Sequence, residues 1–277
     1  MQVKGLGIIE CSAKGIFRKD NLTPLVGDDV EIDLLDEKDM EGHITRILDR
    51  KNELVRPAVA NVDQIMIIFA AAQPEPNFNL LDRFLISMEK NKVPTVICFN
   101  KTDLVSKETL DRYASYYKAT GYRNIFVSAY TNENISELKA LLKGKCTAVA
   151  GPSGAGKSSL INLLQDDVQM ETGGISRKLK RGRHTTRHVQ FIQISDDTWI
   201  MDTPGFSALD VTEILPEELK DYYPEFKTLE PCRFLSCMHM KEPDCMVRAA
   251  ATAGTISQIR YDNYVNLVEK LKEIKRW

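Results

Sequence analysis

The stretch "AVAGPSGAGKSSLINLL", residues 148–164, decides the fold. A short apolar strand runs into "GPSGAGKS", Gly151 to Ser158, and the chain leaves it as a helix. This is the G-x-x-x-x-G-K-[ST] phosphate loop in the strand–turn–helix setting it requires. The glycines let the backbone curl so that several N–H groups point at one anion, and the helix N-terminus adds partial positive charge. Gly151, Pro152, Ser153, Gly154, Ala155, Gly156, Lys157, Ser158 and Ser159 are therefore the expected nucleotide-binding run. Lys157 is placed to reach the β- and γ-phosphates and to act in catalysis, and the Ser158 hydroxyl to bind Mg²⁺.

A phosphate loop does not name the base. Upstream, the strand "PTVICFN" ends in "NKTD", Asn100 to Asp103. A carboxylate at Asp103 accepts from guanine N1–H and the N2 amine, which adenine lacks, and left unpaired it disfavours the wrong base strongly. Asn100 is expected to tie loops together and the Lys101 stem to cover the face of the base. "SAY", Ser128 to Tyr130, ends the next strand and places the Ala129 N–H near guanine O6. Downstream, "DTPG" places Asp202 on the Mg²⁺ side and the Gly205 N–H at the γ-phosphate. Between them, "SRKLKRGRHTTRHV" holds a threonine expected to complete the metal shell, Thr186 in preference to Thr185. Phe206 follows the DxxG glycine, where many GTPases carry a water-orienting glutamine. His184 is the internal candidate for that task; an RNA-facing or solvated histidine is the alternative.

Small GTPases ordinarily run phosphate loop, switch threonine, DxxG, NKxD, SAx. This chain runs NKxD, SAx, phosphate loop, threonine, DxxG, so the cyclic order is kept and the cut moved. The reading is a circularly permuted GTPase domain over residues 61–210. Joining old termini leaves every strand in place, because domain ends often lie close together. Alternating strands and helices across this region predict an α/β domain built on a parallel sheet. The cut also joins the segment after DxxG to the C-terminal region, so a nucleotide-dependent movement there could pass directly into it.

Residues 1–60 read as short, closely spaced strands, the pattern of a small β-barrel. Residues 211–277 read as mainly helical: "LPEELKDYYPEF" as one helix, "ISQIRYDNYVNLVEKLKEIKRW" as another packing on its own domain. Between them lies Cys232-x₄-Cys237-x-His239-x₅-Cys245. Three thiolates and an imidazole suit a structural tetrahedral zinc, with reduced buried cysteines as the alternative.

The bulk numbers exclude little but are consistent with this. The chain has 277 residues, 43% hydrophobic, with a net charge of −2, so nothing global announces a nucleic-acid partner. Regionally, residues 61–205 carry 18 Lys+Arg against 15 Asp+Glu, while residues 1–60 carry 9 against 12. No apolar run approaches the ~20 residues of a membrane span, and the first residues lack the pattern of a secretory signal. A reducing cytoplasmic location and a monomer are expected, with no membrane contact.

Taken together, "NKTD", "GPSGAGKSSLIN", "GRHTT", "DTPG" and "PCRFLSCMHMKEPDC" after a β-rich start resemble the ribosome small subunit-dependent GTPase A (RsgA-type) family over nearly the whole chain. The resemblance implies an N-terminal OB-fold, a permuted P-loop GTPase and a zinc domain. It further implies GTP hydrolysis to GDP and phosphate stimulated by the 30S ribosomal subunit, contact with its 16S rRNA, and a role in late 30S maturation. Two other readings stay open: a GTP-gated RNA-binding module with negligible turnover, and a permuted GTPase serving the 50S subunit.

Overall fold

The computed structural model describes residues 1–3, 6–13, 17, 22–36, 40–54, 58–172, 189–203 and 211–274. The N-terminal region forms short ladders. β1 (Gln2–Val3) pairs with β2 (Gly7–Ile8), and β3 (Glu10–Ala13), β4 (Val30–Asp36) and β5 (Glu41–Ile47) form a sheet in the order β3-β5-β4. β6 (Glu53–Leu54) pairs with β7 (Val59–Ala60). Among the described residues these ladders stay separate, with a single bridge from Val26 to Val59.

The centre is a six-stranded sheet. Its strands are β8 (Gln64–Ala70), β9 (Thr95–Asn100), β10 (Arg123–Phe126), β11 (Cys146–Ala150), β12 (Gln190–Ser195) and β13 (Thr198–Asp202), ordered β10-β9-β8-β11-β13-β12. All neighbours are parallel except β12, which folds back antiparallel on β13. "QIMIIFA" of β8 is buried at every position, as a strand covered on both faces must be. Side chains alternate across it. Ile65, Ile67 and Phe69 pack with Leu81, Phe84, Leu85 and Met88 of α1 (Phe78–Lys90) and Tyr113 of α2 (Lys107–Tyr116). Met66 and Ile68 pack with Leu138 and Leu142 of α3 (Ile135–Leu142) and Leu160, Ile161 and Leu164 of α4 (Lys157–Thr172).

Asn77 and Ser106 cap α1 and α2, accepting the N–H of Leu80 and Thr109. From β8 the chain steps to β9 and β10, then returns on the other side of β8 as β11. That reversal opens a crevice at the carboxyl ends of β8 and β11, where ligands bind in doubly wound sheets.

The C-terminal region departs from expectation in two places. "LPEELKDYYPEF" is not one helix but two short 3₁₀ turns, Leu219–Tyr222 and Pro224–Phe226. Pro224 lacks an N–H and restricts Tyr223, which turns extended and ends the first turn. The last helix, α6 (Gln258–Glu273), follows α5 (Met246–Thr252) and packs beyond its own domain. Its Tyr264, Leu267, Val268 and Leu271 share a core with Ile86 of α1. Beside that core, Arg260 is 1% exposed and lies between Glu225 and Asp82, bonding Glu225 through Nε (2.7 Å) and Nη2 (3.0 Å) and Asp82 Oδ1 through Nη1 (2.6 Å). Asn263 and Tyr117 also donate to Asp82, at 2.7 and 3.1 Å. A buried charge cluster therefore joins the C-terminal region to the sheet domain. No described helix is long and apolar enough to cross a membrane.

Candidate functional site

β11 delivers the chain into the crevice. Gly151 follows at φ 134, and a Cβ there would lie 2.1 Å from the Ile68 carbonyl oxygen, so the loop can pass over β8 only as glycine. Ala155 is fully buried and anchors the loop from below. Lys157 opens α4, and its Nζ donates to the Gly151 and Pro152 carbonyls, each at 2.8 Å. Burial lowers its pKa, while the nearby Asp202 carboxylate opposes that shift. Ser153, Gly154, Ser158 and Ser159 are exposed along the open side of the loop.

The other motifs converge on it. Asn100 ends β9 and is 1% exposed. Its Nδ2 donates to the Ala155 carbonyl at 3.0 Å, and its Oδ1 accepts the Ala129 N–H at 3.2 Å. One amide thus bolts the phosphate loop to the "SAY" turn. Gly156 makes room for it, since a Cβ there would lie 2.4 Å from Asn100 Nδ2 and 3.8 Å from Lys101 Cε. Lys101 is left-handed (φ 65) and donates to the Gln73 carbonyl. Asp103 Oδ1 accepts from Ser128 Oγ at 2.5 Å. Asp202 ends β13 opposite Val149 of β11.

Sequence reasoning missed two of the groups that hold this site. Thr203 donates to the Val149 carbonyl at 2.6 Å, pinning the start of "DTPG" beside the phosphate loop. The Gln73–Pro74 turn after β8 meets both Lys101 and Gly154, where a Cβ would lie 3.3 Å from Pro74 Cδ. Thr203 occupies a variable position of DxxG and Gln73–Pro74 lies in no motif; each meets a segment distant in the chain through a backbone carbonyl or a close approach that spacing does not reveal. Thr185, Thr186, His184, Gly205 and Phe206 lie outside the described residues.

The cysteine cluster assembles as spaced. The ligand atoms of Cys232, Cys237, His239 and Cys245 all lie within 4.8 Å of one another. His239 Nδ1 is 3.6 Å from Cys232 Sγ and 3.5 Å from Cys245 Sγ. The Met246 and Arg248 N–H groups donate to Cys232 Sγ (3.3 Å) and Cys245 Sγ (3.4 Å), contacts that favour thiolates. Burial lowers the pKa of His239, reinforced by Lys220 and opposed by Glu242, a shift toward the neutral imidazole that a metal ligand requires. Tyr261 and Tyr264 of α6 donate to the His239 and Met238 carbonyls at 2.8 and 2.7 Å. This donor set fits a tetrahedral zinc, whose sulfur ligands sit about 3.8 Å apart at Zn–S bonds of about 2.3 Å.

An RsgA GTPase model matches residues 47–212, and an RsgA N-terminal domain model matches residues 2–44. The chain belongs to the RsgA GTPase family. Like the rest of that family it is a GTP hydrolase. It is 56% identical over 271 residues to the small ribosomal subunit biogenesis GTPase RsgA of Agathobacter rectalis, covering 98% of this chain and 90% of that one. With the RsgA of Caldanaerobacter subterraneus it shares 50% identity over 268 residues, covering 96% and 90%. The crystal structure of YjeQ from Thermotoga maritima superposes with a TM-score of 0.80 at 37% identity, covering 98% of this chain and 93% of that one. The crystal structure of YloQ, a circularly permuted GTPase, superposes at 0.75 and 36%, covering 97% and 88%. The chain is an RsgA-type circularly permuted GTPase, in keeping with the permuted order read from its motifs.

Proposed function

We propose that this RsgA-family GTPase binds the 30S ribosomal subunit, contacts its 16S rRNA and acts in its late maturation, with subunit-stimulated hydrolysis of GTP. The observation that carries the reading is the buried Asn100 amide. By joining Ala155 to Ala129, it makes one guanine-nucleotide site from segments in permuted order. The names of the relatives supply the small subunit as the object of the cycle.

On this reading residues 1–60 are an OB-type barrel, 61–210 the GTPase domain and 211–277 a zinc domain. Asp103 reads the guanine edge, Asn100 and Lys101 shape the base pocket, and Ser128 and Ala129 close it. The loop from Gly151 to Ser159 wraps the phosphates, with Lys157 supplying positive charge that offsets the charge developing in the transition state. Gly205 donates its N–H to the γ-phosphate. Mg²⁺ held by Ser158, Thr186 and, through water, Asp202 supplies further charge neutralisation when bound. His184 orients the attacking water. Zinc held by Cys232, Cys237, His239 and Cys245 is structural. The protein works as a cytoplasmic monomer.

The test is single-turnover GTP hydrolysis with and without 30S subunits for wild type and His184→Ala. It is paired with cosedimentation against separated subunits in GTP, GDP and a non-hydrolysable analogue. Stimulation by 30S alone, lost in His184→Ala with binding kept, is expected. Binding without turnover would make the protein a nucleotide-gated RNA-binding module, and pelleting with 50S would assign the other subunit. A stimulated His184→Ala would remove His184 from the site.

A further inference from the structure

Glu133 lies in the turn after "SAY", outside every motif in the sequence. Its Oε2 accepts the Thr102 hydroxyl at 2.7 Å, and its backbone carbonyl accepts the Ser128 N–H at 3.2 Å. Thr102 is 4% exposed and stands directly before Asp103. Ser128 Oγ donates to Asp103 Oδ1. The ring closes on itself, from Glu133 to Thr102, along the chain to Asp103, across to Ser128 and back.

The proton count fixes its direction. Ser128 Oγ accepts the N–H groups of Tyr130 (3.2 Å) and Thr131 (3.1 Å), which occupy both lone pairs of a hydroxyl. Its single proton must therefore go to Asp103. Among the described residues Asp103 Oδ2 has no hydrogen-bond partner and is left for a ligand. The tie at Thr102 has a structural task, because Lys101 just before it is held left-handed, a conformation that persists only where its surroundings enforce it.

We propose that Glu133 is a positioning residue for guanine specificity. It clamps the Thr102 end of the base-reading turn so that Asp103 presents a fixed carboxylate edge to guanine N1–H and the N2 amine. This rests on the reading of Asp103 as the base reader.

Inosine nucleotides isolate the effect, since they lack only the N2 amine. Competition of GDP and IDP against a fluorescent GDP would be measured on the full chain for wild type, Glu133→Ala, Glu133→Gln, Thr102→Val and the Glu133→Ala/Thr102→Val pair. A hydrogen bond to a charged group is worth about tenfold in affinity or more, so wild type should prefer GDP by at least that factor. Glu133→Ala and Thr102→Val should each lower the preference by about threefold or more, the pair no further, because all three lose the same bond. Glu133→Gln, which keeps an acceptor oxygen, should stay near wild type. Equal weakening of GDP and IDP in Glu133→Ala, or no change, would overturn the proposal. So would additive losses in the pair, or a Glu133→Gln preference as low as that of Glu133→Ala. A wild type with no preference for GDP would instead defeat the reading of Asp103 itself.

Discussion

Arg260→Met would remove a guanidinium held between two carboxylates, with side-chain exposures of 1% for the arginine and 0% and 1% for Asp82 and Glu225. It also stacks over Tyr223 and Tyr117, 4.6 and 5.4 Å from the ring centroids. Methionine refills much of the volume but leaves both carboxylates without their cation. Breaking a buried pair from one side costs about 3–5 kcal/mol. At roughly 2–4 °C per kcal/mol for a chain of this size, the melting temperature should fall by about 10 °C.

The loss should depend on pH. Burial raises the Asp82 pKa, against the pull of Arg260, Asn263 and Tyr117. Without Arg260 that rise is less opposed, so the folded variant takes up a proton that the unfolded chain does not hold. Unfolding free energy then increases as pH falls, and the deficit should be smaller at about pH 5 than at about pH 8. Arg260→Met combined with Asp82→Leu and Glu225→Leu should recover most of the loss, because an apolar replacement removes all the stranded charges together. Thermal melts followed by circular dichroism at the two pH values decide it. A single variant melting within about 2 °C of wild type would show that the cluster does not join the two regions as argued.

Gly156→Ala should weaken guanine-nucleotide binding by about tenfold or more, since its Cβ would lie 2.4 Å from Asn100 Nδ2 at φ +83; unchanged affinity for a fluorescent GDP would refute the fit of Asn100 there. Elemental analysis should find about one zinc per chain, and Cys237→Ser should destabilise the C-terminal region while GTP binding stays near normal. A folded metal-free C-terminal region would rule that out. Reversing the charges of Arg177, Lys178, Lys180 and Arg181 should weaken 30S binding and flatten its salt dependence, by about one unit of slope for each phosphate no longer neutralised. An unchanged slope would remove this segment from the RNA interface.

The local chemistry of the site was legible because its residues must occur at fixed short spacings. Phosphates need consecutive N–H groups, so Gly151 to Ser158 is one uninterrupted motif. A tetrahedral metal needs four donors on short loops, so the cysteine cluster reads from spacing alone. The permuted order was equally legible, because strand order does not depend on where the chain is cut. The alternation of "QIMIIFA" and its neighbours with amphipathic helices likewise announced the covered sheet.

What only the tertiary structure decided lies between segments far apart in the chain. The sequence reading made the segment after DxxG the route by which the nucleotide could move the C-terminal region. The structure adds a second link, the Asp82–Arg260–Glu225 cluster, whose closest members in sequence are 35 residues apart. Sequence showed Arg260 as one more charged position on a helix, and a charge declares no partner until burial removes water and leaves it two carboxylates. Glu133 and Thr203 were silent for the same reason, since the side chain of each acts through one hydrogen bond to a distant strand or turn. The Tyr223–Pro224 break shows the converse. The stretch "LPEELKDYYPEF" reads as one helix, and a single missing N–H at Pro224 divides it into two short turns.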